Sequence, residues 1–186
     1  MHTRDRFLEA ARRLFADKGF YGASMDQIAR ELGLTKQALI HHFGTKEKLY
    51  GAVLSKISTR LLDALESGGD DFPRAIEQIY RHTLDCPDEA QLLMRELLDN
   101  RRRAEQAGTW YLKPFLDKLH DALRRMPNWR DAPDVQVATH VCQVLGAINY
   151  FAISQPTLSQ MYSAEAVAAM RDASVERLRR LATLPP

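Results

Sequence analysis

The chain has 186 residues, of which 45% are hydrophobic and 27% are charged, and its formal net charge is +2. This composition is typical of an ordinary globular protein with enough apolar material for a core, and it excludes a chain that is basic throughout. The first 50 residues carry nine Lys or Arg and six Asp or Glu, so phosphate contacts are favoured at that end of the chain.

Helical periodicity begins close to the N-terminus. Apolar residues recur every three or four positions between Arg4 and Lys18, which predicts a first helix that ends at Gly19. Phe20 and Tyr21 follow in a turn, and we expect both rings to pack the first helix against the segment that comes next.

The stretch from Ser24 to Leu49 predicts two short helices, a tight turn between them and a longer helix behind. Ser24 and Gln27 form a capping-box pattern at the start of the first short helix. Gly33 suits its C-terminal end, and Thr35 can cap the second short helix. The apolar face of this second helix is expected to be Ala38, Leu39, Ile40 and Phe43. A helix, a short glycine-containing turn and another helix form a helix-turn-helix, whose second helix enters the DNA major groove.

A fourth helix, at about residues 46–66, begins after Thr45 and continues into the rest of the chain. We therefore predict a DNA-binding domain over residues 1–47 and a second domain over residues 48–186, with this helix linking the two.

Five further helices are predicted in the second domain, so the fold class is all-α with about nine helices. They cover about residues 72–85, 87–103, 109–126, 134–154 and 164–182. Pro114 is a possible kink in the seventh, and a loop containing Pro156 is expected between the last two. The eighth helix is apolar nearly all round and the ninth is rich in alanine, as in helices that are buried or closely packed on both sides.

Residues 4–54 resemble the DNA-binding domain of the TetR family of bacterial regulators. The matching positions are Phe7, Leu8, Ala11, Leu14, Phe15, Gly19, Phe20, Ser24, Met25, Ile28, Ala29, Gly33, Leu34, Ala38, Leu39, His42, Phe43, Lys46, Glu47 and Leu49. The resemblance implies a homodimeric regulator of transcription, usually a repressor, that binds a palindromic double-stranded DNA operator. It also implies release from DNA by a small apolar or amphipathic effector. Effector binding and dimerisation are the functions that the resemblance implies for the second domain, residues 48–186.

One position departs from the family pattern. Ile40 stands where the family usually has a tyrosine that contacts a DNA phosphate. Because an isoleucine side chain cannot donate a hydrogen bond, this contact is either missing or taken over by His41 or His42.

The candidate DNA contacts lie on the second short helix and at the helix N-termini around it. Lys36, Gln37 and His41 are expected to be exposed, and Gln and Lys can reach adenine and guanine. Lys46 matches a family lysine that meets a phosphate, and His42 is either a phosphate ligand or a packing residue. The full predicted set is Ser24, Thr35, Lys36, Gln37, His41, His42 and Lys46.

Two further sets of residues follow from the resemblance. A ligand pocket is implied among the fifth to eighth helices, where polar groups on apolar faces are the better candidates; these are Trp110, Tyr111, Asn149 and Tyr150. A dimer interface is implied on the last two helices, at Val141, Leu145, Ile148, Val167, Met170 and Leu178. Arg101 to Arg103 are interpreted as a solvated helix end, with anion attraction as the alternative.

Several functional classes are not expected. Cys86 and Cys142 have neither CxxC nor metal-ligand spacing, which favours a reduced cytoplasmic protein with two buried thiols, no metal and no cofactor. No signal peptide is expected, and the apolar run over residues 141–153 is shorter than a membrane span. HExxH, GxSxG and phosphate-loop motifs are absent, so we expect neither catalytic residues nor an enzyme. Two alternatives stay open: a ligand-independent (orphan) regulator, and a helical small-molecule-binding protein with a degenerate DNA-binding domain.

Overall fold

The computed structural model describes residues 3–99 and 110–186, and Arg101 to Arg103 lie outside these residues. The described part contains nine α-helices and one short 3-10 helix, and no strand. The helices are α1 (Thr3–Gly22), α2 (Met25–Glu31), α3 (Lys36–Phe43), α4 (Lys46–Ser67), α5 (Phe72–Asp85), α6 (Pro87–Asp99), α7 (Lys113–Arg124), α8 (Asp134–Met161) and α9 (Ala164–Thr183). The predicted all-α class is confirmed.

The chain divides into two compact units. The first unit combines Met1–Ser58 with Asp88–Lys113, and the second combines Thr59–Pro87 with Pro114–Pro186. Helix α4 contributes residues to both units, whereas α6 groups with the N-terminal helices. This division differs from the sequence-based one, which assigned α6 to the C-terminal domain. The functional boundary at residues 47 and 48 stays a prediction.

Buried polar contacts explain why α6 groups with the N-terminal helices. The Tyr50 hydroxyl of α4 donates a 2.6 Å hydrogen bond to the Glu96 carboxylate of α6. Arg12 of α1 pairs with Asp88 and lies 3.9 Å from a Glu89 oxygen. Glu89 and Glu96 are each only 3% exposed. Because a buried carboxylate is costly unless it has partners, these contacts favour α6 in its place within the first unit.

Aromatic side chains complete the core of the first unit. The Phe20 ring packs against Phe15 and Tyr50, at centroid distances of 6.3 and 5.0 Å. Tyr21 touches the edge of Phe20 but is 78% exposed. The predicted packing role therefore applies to Phe20, and it is wrong for Tyr21.

The second unit is held together by α5, α8 and α9. The Tyr80 hydroxyl of α5 donates to the Arg171 carbonyl of α9 at 3.1 Å. After α7, the buried Trp129 donates through Nε1 to the Leu184 carbonyl at 2.9 Å. Helix α7 begins at Lys113, so Pro114 lies in its first turn and does not kink it.

Helix α8 is longer than the sequence predicted. It continues through Pro156 to Met161, where a loop was expected. A proline removes one backbone donor, and here it does so close to the end of the helix. Among the described helices, α8 is the one that is long and apolar enough to cross a bilayer, with a mean hydropathy of 1.3 over its most apolar window. The apolar helix is therefore longer than expected, and the expectation that it is too short to span a membrane is wrong. Buried helices of globular proteins can have the same length and hydropathy.

Candidate nucleic-acid interface

Local hydrogen bonds define α2, the turn and the start of α3. The Ser24 hydroxyl accepts from the Gln27 N–H at 3.1 Å, and the Gln27 side chain accepts from the Ser24 N–H at 3.0 Å. Thr35 caps α3 by accepting from the Ala38 N–H at 3.2 Å. Gly33 adopts a φ of 67°, which a side chain would strain. The predicted capping box, glycine turn and second cap are therefore all present.

A tight turn joins α3 to α4, and the sequence interpretation missed it. Gly44 has φ 76° and ψ −73°, and the Thr45 N–H donates to the Phe43 carbonyl at 3.0 Å. This is a γ-turn with a positive central φ, a strained conformation that favours glycine. The short Gly44-Thr45 pair between two predicted helices was the available signal. The turn fixes where α4 begins relative to the end of α3.

Helix α3 presents one polar face to solvent. Leu39 and Phe43 are buried, whereas Lys36, Gln37 and His41 are exposed as expected. Ile40 is 40% exposed, so its predicted place on the buried face is wrong. The physical reason is the helical period: Ile40 lies one turn after Lys36, on the same side of the helix.

His42 packs against an aromatic ring and is also exposed, so the structure is compatible with either of the roles that the sequence left open. Its ring lies 5.6 Å from the Phe7 ring centroid, yet the residue is exposed. Together with Thr3, Arg4 and Asp5 of α1, it lines an open groove of about 470 Å³. His42 therefore packs through one part of its ring and leaves the remainder accessible.

Lys46, the first residue of α4, contacts an aromatic ring of α1. Its Nζ lies 4.5 Å from the Phe20 ring centroid, a cation–π contact. The carboxylate of Glu47 beside it accepts from its own backbone N–H and from Thr45, and these hydrogen bonds lower the pKa of Glu47. A carboxylate therefore lies at the α4 N-terminus, where it interacts favourably with the helix dipole, and the Lys46 ammonium lies beside it.

Comparisons with known proteins agree with this local structure. The family model for bacterial regulatory proteins of the tetR family matches residues 7–53. The regulator RutR of Escherichia coli is 33% identical over 117 residues, which are 60% of this chain and 55% of RutR. The repressor AcnR of Corynebacterium efficiens is 31% identical over 88 residues, 47% of this chain and 44% of AcnR. Residues 7–53 are therefore a DNA-binding domain of the TetR type. It spans only about half of the length of the curated relatives that it matches.

The fold likeness extends well beyond the matched TetR domain. The regulator SCO4942 of Streptomyces coelicolor superposes with a TM-score of 0.70 at 27% identity, covering 97% of this chain and 98% of its own. FadR of Bacillus subtilis, solved with stearoyl-CoA, gives a TM-score of 0.70 at 16% identity, covering 94% and 96%. At that identity the FadR likeness shows the fold alone.

The residues predicted for a TetR-type effector pocket fall in different units. Trp110 and Tyr111 belong to the first unit, whereas Asn149 and Tyr150 belong to the second. Neither unit contains all four. Asn149 donates to the Leu145 carbonyl of its own helix at 2.9 Å, and Tyr150 is 69% exposed. Their role in ligand binding stays a prediction.

Tyr111 has a neighbour that the sequence did not indicate. A Cβ added to the buried Gly51 of α4 would lie 2.2 Å from the Tyr111 hydroxyl oxygen. The absence of a side chain at Gly51 therefore allows Tyr111 to lie directly on α4.

Most of the predicted dimer residues are buried within the single chain. Val141, Ile148, Val167 and Leu178 are at most 5% exposed in the single chain, so they belong to its core. Leu145 is half-buried and Met170 is 37% exposed. A helix that is apolar nearly all round does not distinguish its core face from its exposed face, so the sequence did not predict this burial. The position of the dimer interface stays a prediction. Between Val135 and Ile153, the exposed face of α8 carries Val135, Gln136, Thr139, Cys142, Gln143, Gly146, Ala147, Tyr150 and Ile153.

The two thiols differ from the sequence expectation as well. Cys86 is half-buried and Cys142 is exposed, so neither is fully buried. Neither forms a disulfide within the described residues. Cys142 lies on the exposed face of α8, where its position can be used as a chemical probe.

Proposed function

We propose that this protein is a DNA-binding transcriptional regulator that binds a palindromic operator as a homodimer. The observation that carries the proposal is the exposed row of Lys36, Gln37 and His41 on the capped helix α3 of a TetR-type domain. Their side chains are free to enter a groove, while Leu39 and Phe43 fix the helix on the core.

Each predicted DNA contact has a role that its chemistry supports. Lys36 and Gln37, in the first turn of α3, contact base edges, because Lys reaches guanine and Gln pairs with adenine. The ring-supported Lys46 contacts a phosphate. Ser24, Thr35, His41 and His42 lie at helix ends or on the exposed side of α3 and position the protein on the DNA backbone.

The exposed face of α8 is the surface we propose for dimerisation. Its stripe from Val135 to Ile153 is largely apolar, and Gly146 has open space around it. Small residues on such a stripe allow two helices to approach closely. A two-fold dimer then presents two α3 helices to half-sites about 34–36 Å apart, or a multiple of this distance.

A small apolar or amphipathic effector is proposed to bind in the C-terminal part of the chain and weaken operator binding. FadR of Bacillus subtilis, which shares the fold, was solved with stearoyl-CoA. In this chain the contact of Tyr111 with Gly51 gives a route from an effector to α4. The effector acts only through its preference for the conformation that does not bind DNA.

The direction of regulation is proposed to be repression. AcnR is named a repressor, whereas FasR of Mycolicibacterium smegmatis, 39% identical over 82 residues, is named an activator. We further propose a cytoplasmic protein without enzymatic activity, in agreement with relatives that are named regulators. Transcription in vitro from a template that carries the operator measures directly whether the protein represses or activates.

The proposal is tested by selecting bound sequences from a random double-stranded DNA pool. We expect a palindromic consensus, and binding is lost in the triple variant Lys36→Ala, Gln37→Ala, His41→Ala. Lys118→Ala, an exposed position on α7, is the control and keeps full affinity. No enrichment with the wild-type protein would favour the helical binding protein with a degenerate DNA-binding domain. Enrichment that no tested ligand reduces would favour the orphan regulator.

A further inference from the structure

The first turn of α1 lies beside the C-terminal end of α3. There, Thr3, Arg4 and Asp5 face His42 across the open groove of about 470 Å³. Ile40, the position at which the family's usual phosphate donor is missing, does not line this groove. Since residues two apart on a helix do not face each other, His42 and the groove offer a contact on a different side of α3 from Ile40. Nothing in the helical pattern of the sequence distinguishes Arg4 from other exposed arginines.

The charges around the groove leave one strong cation available. Lys56 Nζ lies 3.4 Å from an Asp5 carboxylate oxygen, so the one acid in the groove is already paired. Within the described residues, Arg4 forms no ion pair, and its guanidinium lies over the Phe43 ring at 5.1 Å from the centroid. An aromatic platform of this kind orients a guanidinium while its N–H donors stay free.

His42 lines the same groove and contributes a second donor. Its ring is supported by Phe7, at a centroid distance of 5.6 Å. An imidazole N–H beside a planar guanidinium suits a tetrahedral anion, because arginine can bind two of its oxygens and histidine a third. The edge of a base fits this pair of donors less well than a phosphate does, because it offers fewer acceptor oxygens.

We propose that Arg4 and His42 together bind a backbone phosphate of the operator, and that this contact replaces the one that Ile40 cannot make. The proposal rests on the proposed function, because it assigns an additional contact to the same DNA interface. The ligand class is a DNA phosphodiester, so the contact adds affinity without sequence preference.

The test is the salt dependence of operator binding for Arg4→Ala, with Arg6→Ala as the matched control. Arg6 is an exposed arginine on the same helix that does not line the groove. For Arg4→Ala we expect affinity to fall about tenfold. The slope of log K against log salt should become shallower by about 0.9, the value of one phosphate contact. Arg6→Ala should keep the wild-type slope.

Replacing single operator phosphates by neutral methylphosphonates locates the contact. One replacement should weaken the wild-type protein and Arg6→Ala, and leave Arg4→Ala unchanged. His42→Gln should show a reduced response to the same replacement. Arg4→Lys keeps the charge but loses the planar fork, so it should retain the wild-type slope with weaker binding.

The outcomes separate the two proposals. If the wild-type protein enriches no DNA sequence, the proposed function itself fails. If the wild-type protein binds its operator and the slopes of Arg4→Ala and Arg6→Ala are equal, the Arg4 contact alone is refuted. Thermal unfolding of Arg4→Ala checks that the loss of its contact with Phe43 has not unfolded the domain. If it has, the methylphosphonate response of Arg4→Lys decides: an unchanged affinity at every position refutes the contact.

Discussion

The Tyr50 hydroxyl lies 2.6 Å from a Glu96 carboxylate oxygen, and this buried hydrogen bond joins α4 to α6. Hydrogen bonds to charged acceptors contribute about 1.5–3 kcal/mol to stability. We therefore expect Tyr50→Phe to lower the free energy of unfolding by about 2 kcal/mol in urea denaturation. Tyr21→Phe removes the hydroxyl of a 78% exposed tyrosine and is the control, with almost no effect expected. Equal effects of the two variants would contradict the role of Glu96.

The γ-turn at Gly44 gives a second prediction. Gly44→Ala places a Cβ on a residue with φ 76°, so we expect destabilisation by about 1–3 kcal/mol. The same change at an ordinary helical position stabilises a protein, because alanine favours the helix. Chemical denaturation measures the sign. A stability equal to or above that of the wild type would show that this turn is not strained.

How much the sequence predicted depends on how local the responsible contacts are. The caps at Ser24 and Thr35 use partners only three residues away, so a short pattern was enough to predict them. The γ-turn at Gly44 is equally local, but any short connection between two helices would have explained its glycine. The Thr45-Lys46 start of α4 was predicted for the same local reason.

The features that the sequence could not predict depend on distant partners. Glu89 and Glu96 look like surface residues of an amphipathic helix, but Arg12 and Tyr50 stabilise their buried positions. The division of the predicted pocket residues between the two units also depends on contacts between residues that are distant in the sequence. Helix α8 is apolar on both sides, so its sequence could not predict that the side with Ile148 is the buried one.

The buried ring of His140 predicts a pH dependence of stability. His140 packs on Trp129 at a centroid distance of 4.6 Å, and burial lowers the pKa of its imidazole. The unfolded chain takes up a proton near the ordinary histidine pKa, whereas the folded chain resists it until a lower pH. Stability from this residue is therefore complete above that range and is lost as the pH falls.

Urea denaturation at about pH 7.5 and pH 5.5 measures this effect. The wild-type protein should lose stability on acidification, and His140→Phe, which keeps an aromatic ring beside Trp129, should lose less. The comparison between the two proteins removes the contribution of the other titrating groups. The same loss in both would exclude His140 as a source of the pH dependence.

The exposed face of α8 predicts the oligomeric state. Ala147→Glu introduces a charge into this face, and burying an unpaired charge in an interface is costly. Sedimentation equilibrium should show a dimer for the wild type and a monomer for Ala147→Glu. Lys118→Glu on α7 is a control of the same exposed character and should stay dimeric.

Cys142 gives an independent chemical check on the same face. It is an exposed free thiol on α8, and in a two-fold pairing of α8 helices the two copies approach each other. Mild oxidation should therefore produce a covalent dimer that Cys142→Ser does not form. A wild-type dimer that Cys142 never cross-links, and that Ala147→Glu leaves intact, would move the interface to another surface.

The central claim is that a two-fold dimer presents two α3 helices to two half-sites, and operator spacing tests it most directly. The dissociation constant is measured for the selected palindrome and for the same sequence with about five base pairs, half a helical turn, inserted at its centre. We predict that the insertion weakens binding by at least about a hundredfold, because it turns one half-site away from the second α3 helix. Equal dissociation constants for the two DNAs would contradict the account.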